Sequence, residues 1–182
     1  MLKTLGLSFL LFSACLLTVS AQGVAAPPER TSYLLGEVTM SSPTGQPYGS
    51  TLSLVKRTQK PAENKIVEVV ANIDPKGPTK DYTTVFDIKG SNFTVKDDEG
   101  TFSGSGELKG KPWEWSGWKY TVTLVGERKG ILKAEDSLTA AGLTVAKTFS
   151  SPDGTPRVLF TEDLKPITRE MYEILHAKLF PK

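Results

Sequence analysis

The sequence predicts a mainly β protein: an antiparallel up-and-down β-barrel, with a β-sandwich as the alternative, finished by one C-terminal α-helix. Three observations carry this. Short stretches rich in Val, Ile, Thr, Tyr and Phe are broken by Gly, Pro, Asn and Asp about every ten residues, the rhythm of barrels and sandwiches. The connections are too short to hold crossover helices, so consecutive strands must run antiparallel. Helical periodicity is confined to the C-terminal end.

Ahead of the strands stands a segment of a different kind. Lys3 is followed by an apolar run from Leu5 to Val19 and by small Ser20 and Ala21, the order of a secretory signal peptide. The run is too short to cross a bilayer comfortably, and Pro27, Pro28, Glu29 and Arg30 follow it, so no membrane span is expected. The reading is a signal peptide over 1–21, a flexible segment over 22–31, and a single β domain over 32–182. Cleavage after Ala21 predicts a periplasmic or secreted protein. Phe12-Ser13-Ala14-Cys15 faintly resembles a lipobox, and on that alternative Cys15 anchors the protein to lipid. Cys15 is the sole cysteine, so the exported chain has no disulfide and depends on packing and strand pairing, which leans toward a bacterial envelope.

The first strand is expected over Tyr33 to Met40, closed by Ser42-Pro43-Thr44-Gly45, and the second over Ser50 to Arg57, ended by Lys60-Pro61-Ala62-Glu63. In the third, Lys65 to Ile73, Val67, Val69, Ala71 and Ile73 share one face, opposite Ile66, Glu68, Val70 and Asn72. The next brings Tyr82, Thr84, Phe86 and Ile88 together, and Lys89-Gly90-Ser91-Asn92 turns it into Phe93-Thr94-Val95. Asp98-Glu99-Gly100 closes another hairpin. Gly104 and Gly106, on the face of Phe102 and Leu108, mark a bend or a place where something lies against bare backbone. Trp118, Tyr120, Val122 and Leu124 alternate with polar residues. Ile131 to Leu138 follows, and Ala140-Ala141-Gly142 turns into Leu143, Val145, Lys147 and Phe149. Ser151-Pro152-Asp153-Gly154 leads into Arg157 to Leu164. The helix spans 168–179, with Thr168 as its cap, Glu170 in its first turn, Ile167 and Tyr172 as a staple, and Met171, Ile174, Leu175 and Leu179 as its apolar stripe.

This order of ten strands and one helix resembles the calycin superfamily, the lipocalin-like and fatty-acid-binding-like barrels, across nearly the whole exported chain. The resemblance implies an interior that takes a small apolar ligand. It lies in element order, not in a motif: the Gly-x-Trp of lipocalins has no match near the first strand, and no helix pair follows that strand. No binding residue therefore carries over.

Composition excludes other classes. Lys and Arg number 22 against 20 Asp and Glu, without long blocks of either sign, so no nucleic-acid-binding surface is expected. The glycines after Phe102 open no helix and form no phosphate loop. His176 is the only histidine, so any histidine triad, metal site or axial haem ligation would rest on it; interaction with the helix C-terminus explains it more simply. Glu135-Asp136 and Glu162-Asp163 are carboxylate pairs whose members point to opposite faces, one of each solvated. Asp97-Asp98-Glu99-Gly100 lacks the ligand spacing of a calcium loop and reads as a turn. Asn92-Phe93-Thr94 matches a glycosylation acceptor. No catalytic residue, metal or cofactor is implied.

The distinctive cluster is Trp113, Trp115, Trp118 and Tyr120, read as the ligand-binding residues. Trp113 and Trp115 occupy one strand parity, Trp118 and Tyr120 the other. Only a bulge at Ser116-Gly117 would gather all four on one face. The expected function is an exported, non-enzymatic barrel that binds a small apolar or amphipathic ligand, Trp118→Ala weakening binding more than folding. Two alternatives stand beside it: a filled β domain acting as an envelope interaction module, and a small barrel enzyme working without His or Cys, recognisable by a buried carboxylate of raised pKa near the aromatics.

Overall fold

The computed structural model describes residues 26–74, 77–78, 81–126 and 129–181. The proposed signal peptide lies outside the described residues. The strands are β1 (Arg30–Ser41), β2 (Pro47–Lys60), β3 (Lys65–Asp74), the two-residue β4 (Gly77–Pro78), β5 (Tyr82–Lys89), β6 (Asn92–Asp97), β7 (Phe102–Lys111), β8 (Glu114–Leu124), β9 (Gly130–Thr139), β10 (Gly142–Ser150) and β11 (Pro156–Pro166). A short 3-10 turn, Pro61–Glu63, separates β2 from β3, and α1 (Arg169–Leu179) ends the chain.

Each long strand pairs antiparallel with its neighbours in sequence. β1 pairs with β2 on one side and β11 on the other, so ten strands close into an up-and-down barrel, with β4 appended to the end of β3. Continuous pairing round the ring excludes the sandwich. Closure also removes the free edges that would otherwise recruit another chain. Tight turns hold the ring: Asp97 accepts from the Thr101 and Phe102 amides at 3.1 and 3.0 Å and from the Thr101 hydroxyl, tying β6 to β7. Burial would raise the Asp97 carboxyl, but these bonds outweigh it and hold it below its usual range. The acidic run is thus turn architecture.

Strand alternation divides inner from outer faces. The inner core takes Leu34, Val55, Ile66, Phe86, Phe93, Val95, Val122, Val145 and Leu164. On β3, Ile66, Glu68, Val70 and Asn72 face inward, being in register with Gln59, Arg57, Val55 and Ser53. The face of Val67, Val69, Ala71 and Ile73, the more apolar by composition, is the outer one. Ala71 there lies beneath the helix, which docks on the side of the barrel with Leu54, Tyr33, Leu35, Tyr172, Leu175 and Leu179 in one cluster. Thr168 caps the helix by accepting from the Met171 amide at 3.2 Å, and Ile167 joins Tyr172 in the cluster, as a staple requires.

The predicted helix stripe needs correction. Met171 and Ile174 are 49 and 51 % exposed, and the docked face is Tyr172, Leu175 and Leu179. The ring of Tyr172 meets that of Tyr33 at 5.1 Å, and this large contact rotates the helix away from the smaller aliphatic face.

Candidate functional site

The bulge that would gather the tryptophans on one face is present. Opposite β7, Lys109 pairs with Gly117 and Gly110 with Trp115, leaving Ser116 as the extra residue on β8. Trp115 and Trp118 are buried in the inner core, and Trp113 and Tyr120 pack against it. All four sequence-identified aromatics therefore belong to one cluster. Trp113, in the β7–β8 turn, adopts a left-handed backbone (φ 64°) and packs against Trp115 with ring centroids 4.7 Å apart and the rings tilted by 56°. Tyr120 sits deeper along the strand, edge-on to Phe86 at 6.1 Å and Phe93 at 6.0 Å. Gly106 makes this possible: a Cβ there would fall 2.5 Å from the Tyr120 Cβ and 2.6 Å from the Phe93 ring. The bare backbone expected in β7 thus has ring neighbours.

The same strand logic places charge inside the barrel. Arg57 on β2 is 4 % exposed and forms an ion pair with Glu68 on β3, its guanidinium lying 3.9 Å from the Trp118 ring centroid. Lys147 on β10 meets Glu162 on β11 at 2.5 Å. Asp136 on β9 stands opposite Trp118 across the β8–β9 ladder and is 7 % exposed. Burial pushes its carboxyl up to about 8, against the pull of Lys147 and Arg57. Burial alone would lower the Lys147 ammonium, but Glu162 and the phenols of Tyr120 and Tyr82 hold it well above its usual value. Both phenols are themselves raised, chiefly by burial, and Tyr82 is hydrogen-bonded to Asn72.

Of the two carboxylate pairs, Glu135 and Asp163 are exposed, as expected for the solvated members. Asp136 and Glu162, one from each pair, share the interior. His176 lies outside the barrel on the helix, with Nε2 3.3 Å from an Asp81 carboxylate oxygen and its ring stacked on Tyr172. That position answers to the helix and to the residue preceding β5, not to the interior. Among the described residues no group of three or more His, Cys, Asp or Glu side chains is placed to hold a metal ion, and no helix is long and apolar enough to cross a membrane.

The two ends of the barrel differ. Around the end marked by Trp113, the inward-facing Leu34, Leu143, Leu164, Trp115 and Trp118 are 1 to 6 % exposed, while Ile88, Leu138 and Trp113 itself are half-buried. At the other end, Met40, Phe102, Leu124, Leu132, Phe149 and Phe160 face inward by alternation yet are only half-buried. Between them lies the charged layer, where Lys147 and Glu162 keep 20 and 12 % of their side-chain surface accessible. Apolar side chains at the rim and charge beneath them make this end of the barrel amphipathic. No family model matches the chain, and no curated protein shows significant similarity to it.

Proposed function

We propose that this chain is exported by its N-terminal segment and that its calycin-like barrel binds a small amphipathic molecule, which enters at the end opposite the tryptophans. The supporting observation is a difference in burial: toward one end Leu34, Leu143, Leu164, Trp115 and Trp118 are almost fully buried, whereas the six inward-facing apolar side chains named at the other end are all half-buried, above a layer of charge. The apolar part of a ligand would lie among Phe149, Phe160 and their neighbours, and its polar end would reach Tyr120 and the charged layer. Titrating the purified chain with amphiphiles of increasing chain length tests this. A saturable change in tryptophan emission is expected; unchanged emission across the series overturns the reading. The mass of the exported N-terminus separates cleavage after Ala21 from acylation at Cys15.

A second reading rests on Asp136, a buried carboxyl beside the aromatic cluster that is suited to exchanging a proton with a bound ligand. It predicts that a bound ketone such as 2-decanone exchanges its α-hydrogens with heavy water in the native protein and not in Asp136→Asn. Equal exchange in both removes it.

A further inference from the structure

We infer that the inner end of the site selects its ligand by head group, holding a neutral group that both accepts and donates a hydrogen bond, a primary alcohol or carboxamide, between Trp118 and Asp136. The inference rests on the ligand-binding reading above. Two buried side-chain atoms among the described residues have no hydrogen-bond partner, Trp118 Nε1 and Asp136 Oδ1. Their residues are in register across β8 and β9 and are 6 and 7 % exposed, so water outside the barrel does not serve them. An indole N–H can only donate, and a buried donor or acceptor left unmade costs about 1–3 kcal/mol. A single group placed between them that accepts from the indole and donates to the carboxyl oxygen removes both penalties.

Charge decides which head groups can do this. Arg57 is held by Glu68 and Lys147 by Glu162, so both interior cations are already matched. A ligand carboxylate could accept from the indole, but it would be a buried charge without a counter-ion unless it broke one of these pairs and left another charge unmatched. An ammonium is donor-only, as is the indole N–H, so Trp118 would stay unpaired. Burial also keeps the Asp136 carboxyl largely protonated at pH 7, so the ammonium would find no anion there. A hydroxyl or carboxamide meets both atoms without disturbing either ion pair. Arg57 covers a face of the indole, leaving the ring edge that carries Nε1 to meet the ligand.

Isothermal titration calorimetry at pH 7 with four ten-carbon probes, 1-decanol, decanamide, decanoate and decylammonium, tests the inference. The two neutral heads should bind about tenfold tighter than the two charged ones, a difference of about 1.4 kcal/mol. In Trp118→Phe, which keeps an aromatic ring in the core while removing the donor and part of the ring, and in Asp136→Leu, that preference should fall to about threefold or less while tail binding persists. Equal affinity for all four heads, or tighter binding of a charged one, overturns the head-group assignment and leaves the ligand-binding reading standing. Failure of all four to bind overturns both.

Discussion

Leu164 and Phe160 lie on one strand and face the same interior, yet Leu164 is 1 % exposed and Phe160 is half-buried. The difference is one of barrel end. Toward Leu164, the bulge in β8 brings two extra indoles onto the core, and they take up part of the space that ten strands enclose. Toward Phe160 the inward side chains, the rings of Phe102, Phe149 and Phe160 among them, keep accessible surface. A closed sheet fixes the diameter of the enclosed space, so whether an end is plugged is decided by side-chain volume. One end of the barrel is thereby committed to stability, and the other is left to contact something else.

The largest test of this contrast is Trp118→Ala. Truncating a buried indole in the sealed end should destabilise the protein by about 3–5 kcal/mol in urea unfolding, with the stacked Arg57 losing its ring as well. Trp118→Ala thus probes the plug more than binding, and Trp118→Phe is the cleaner probe of the site. A cost near that of an exposed substitution would show that the tryptophan end is not sealed.

The same contrast explains what could be read from sequence and what could not. Alternation and turn chemistry are local, so about ten strands and the helix cap were legible, and the bulge was legible as one of two possibilities because Trp115 and Trp118 fall on opposite parities. The pairing of β1 with β11 joins distant segments and has no local signal. The inward charges were half legible. Lys147 alternates with Leu143, Val145 and Phe149, and that pattern points it inside. Arg57 and Glu68 were hidden because a charged residue on a strand ordinarily marks the solvent face, and here each is balanced by the other. Asp136 and Glu162 were read only against their sequence neighbours, whereas the barrel brings them into one interior.

The charged layer between the two ends offers a pH test of intermediate size. With its folded pKa near 8 and an unfolded value near 3.8, Asp136 keeps a proton in the native state that the unfolded chain has already released. The unfolded state therefore binds fewer protons between those values, and stability contributed by this group falls as pH rises from about 4 to about 8, then levels off. The slope approaches about 1.4 kcal/mol per pH unit at most. Asp136→Asn should remove this component, so the difference between native and variant should change sign-consistently, in favour of the variant, as pH is raised through the window. A parallel pair of stability profiles would place the Asp136 carboxyl in water and dissolve the layer that separates the two ends.

The smallest effect on folding, and the sharpest on the comparison, comes from Phe160→Ala set beside Leu164→Ala. Leu164 fills the sealed end, and its truncation should cost about 2–5 kcal/mol, the range for a leucine cavity that cannot collapse. Phe160 has the larger side chain, so volume alone would rank it the more costly. Part of its surface is in contact with solvent, however, and a side chain that is already partly hydrated has less transfer free energy to lose, on the order of 1 kcal/mol here. Binding should reverse the ranking, because a ligand lying against Phe160 restores the burial that folding leaves incomplete, and removing the ring forfeits it. Urea unfolding and calorimetry with 1-decanol on the same two variants read both quantities. If Phe160→Ala proves the more destabilising and leaves decanol affinity unchanged, its end of the barrel is packed like the other, and the asymmetry has no bearing on ligand.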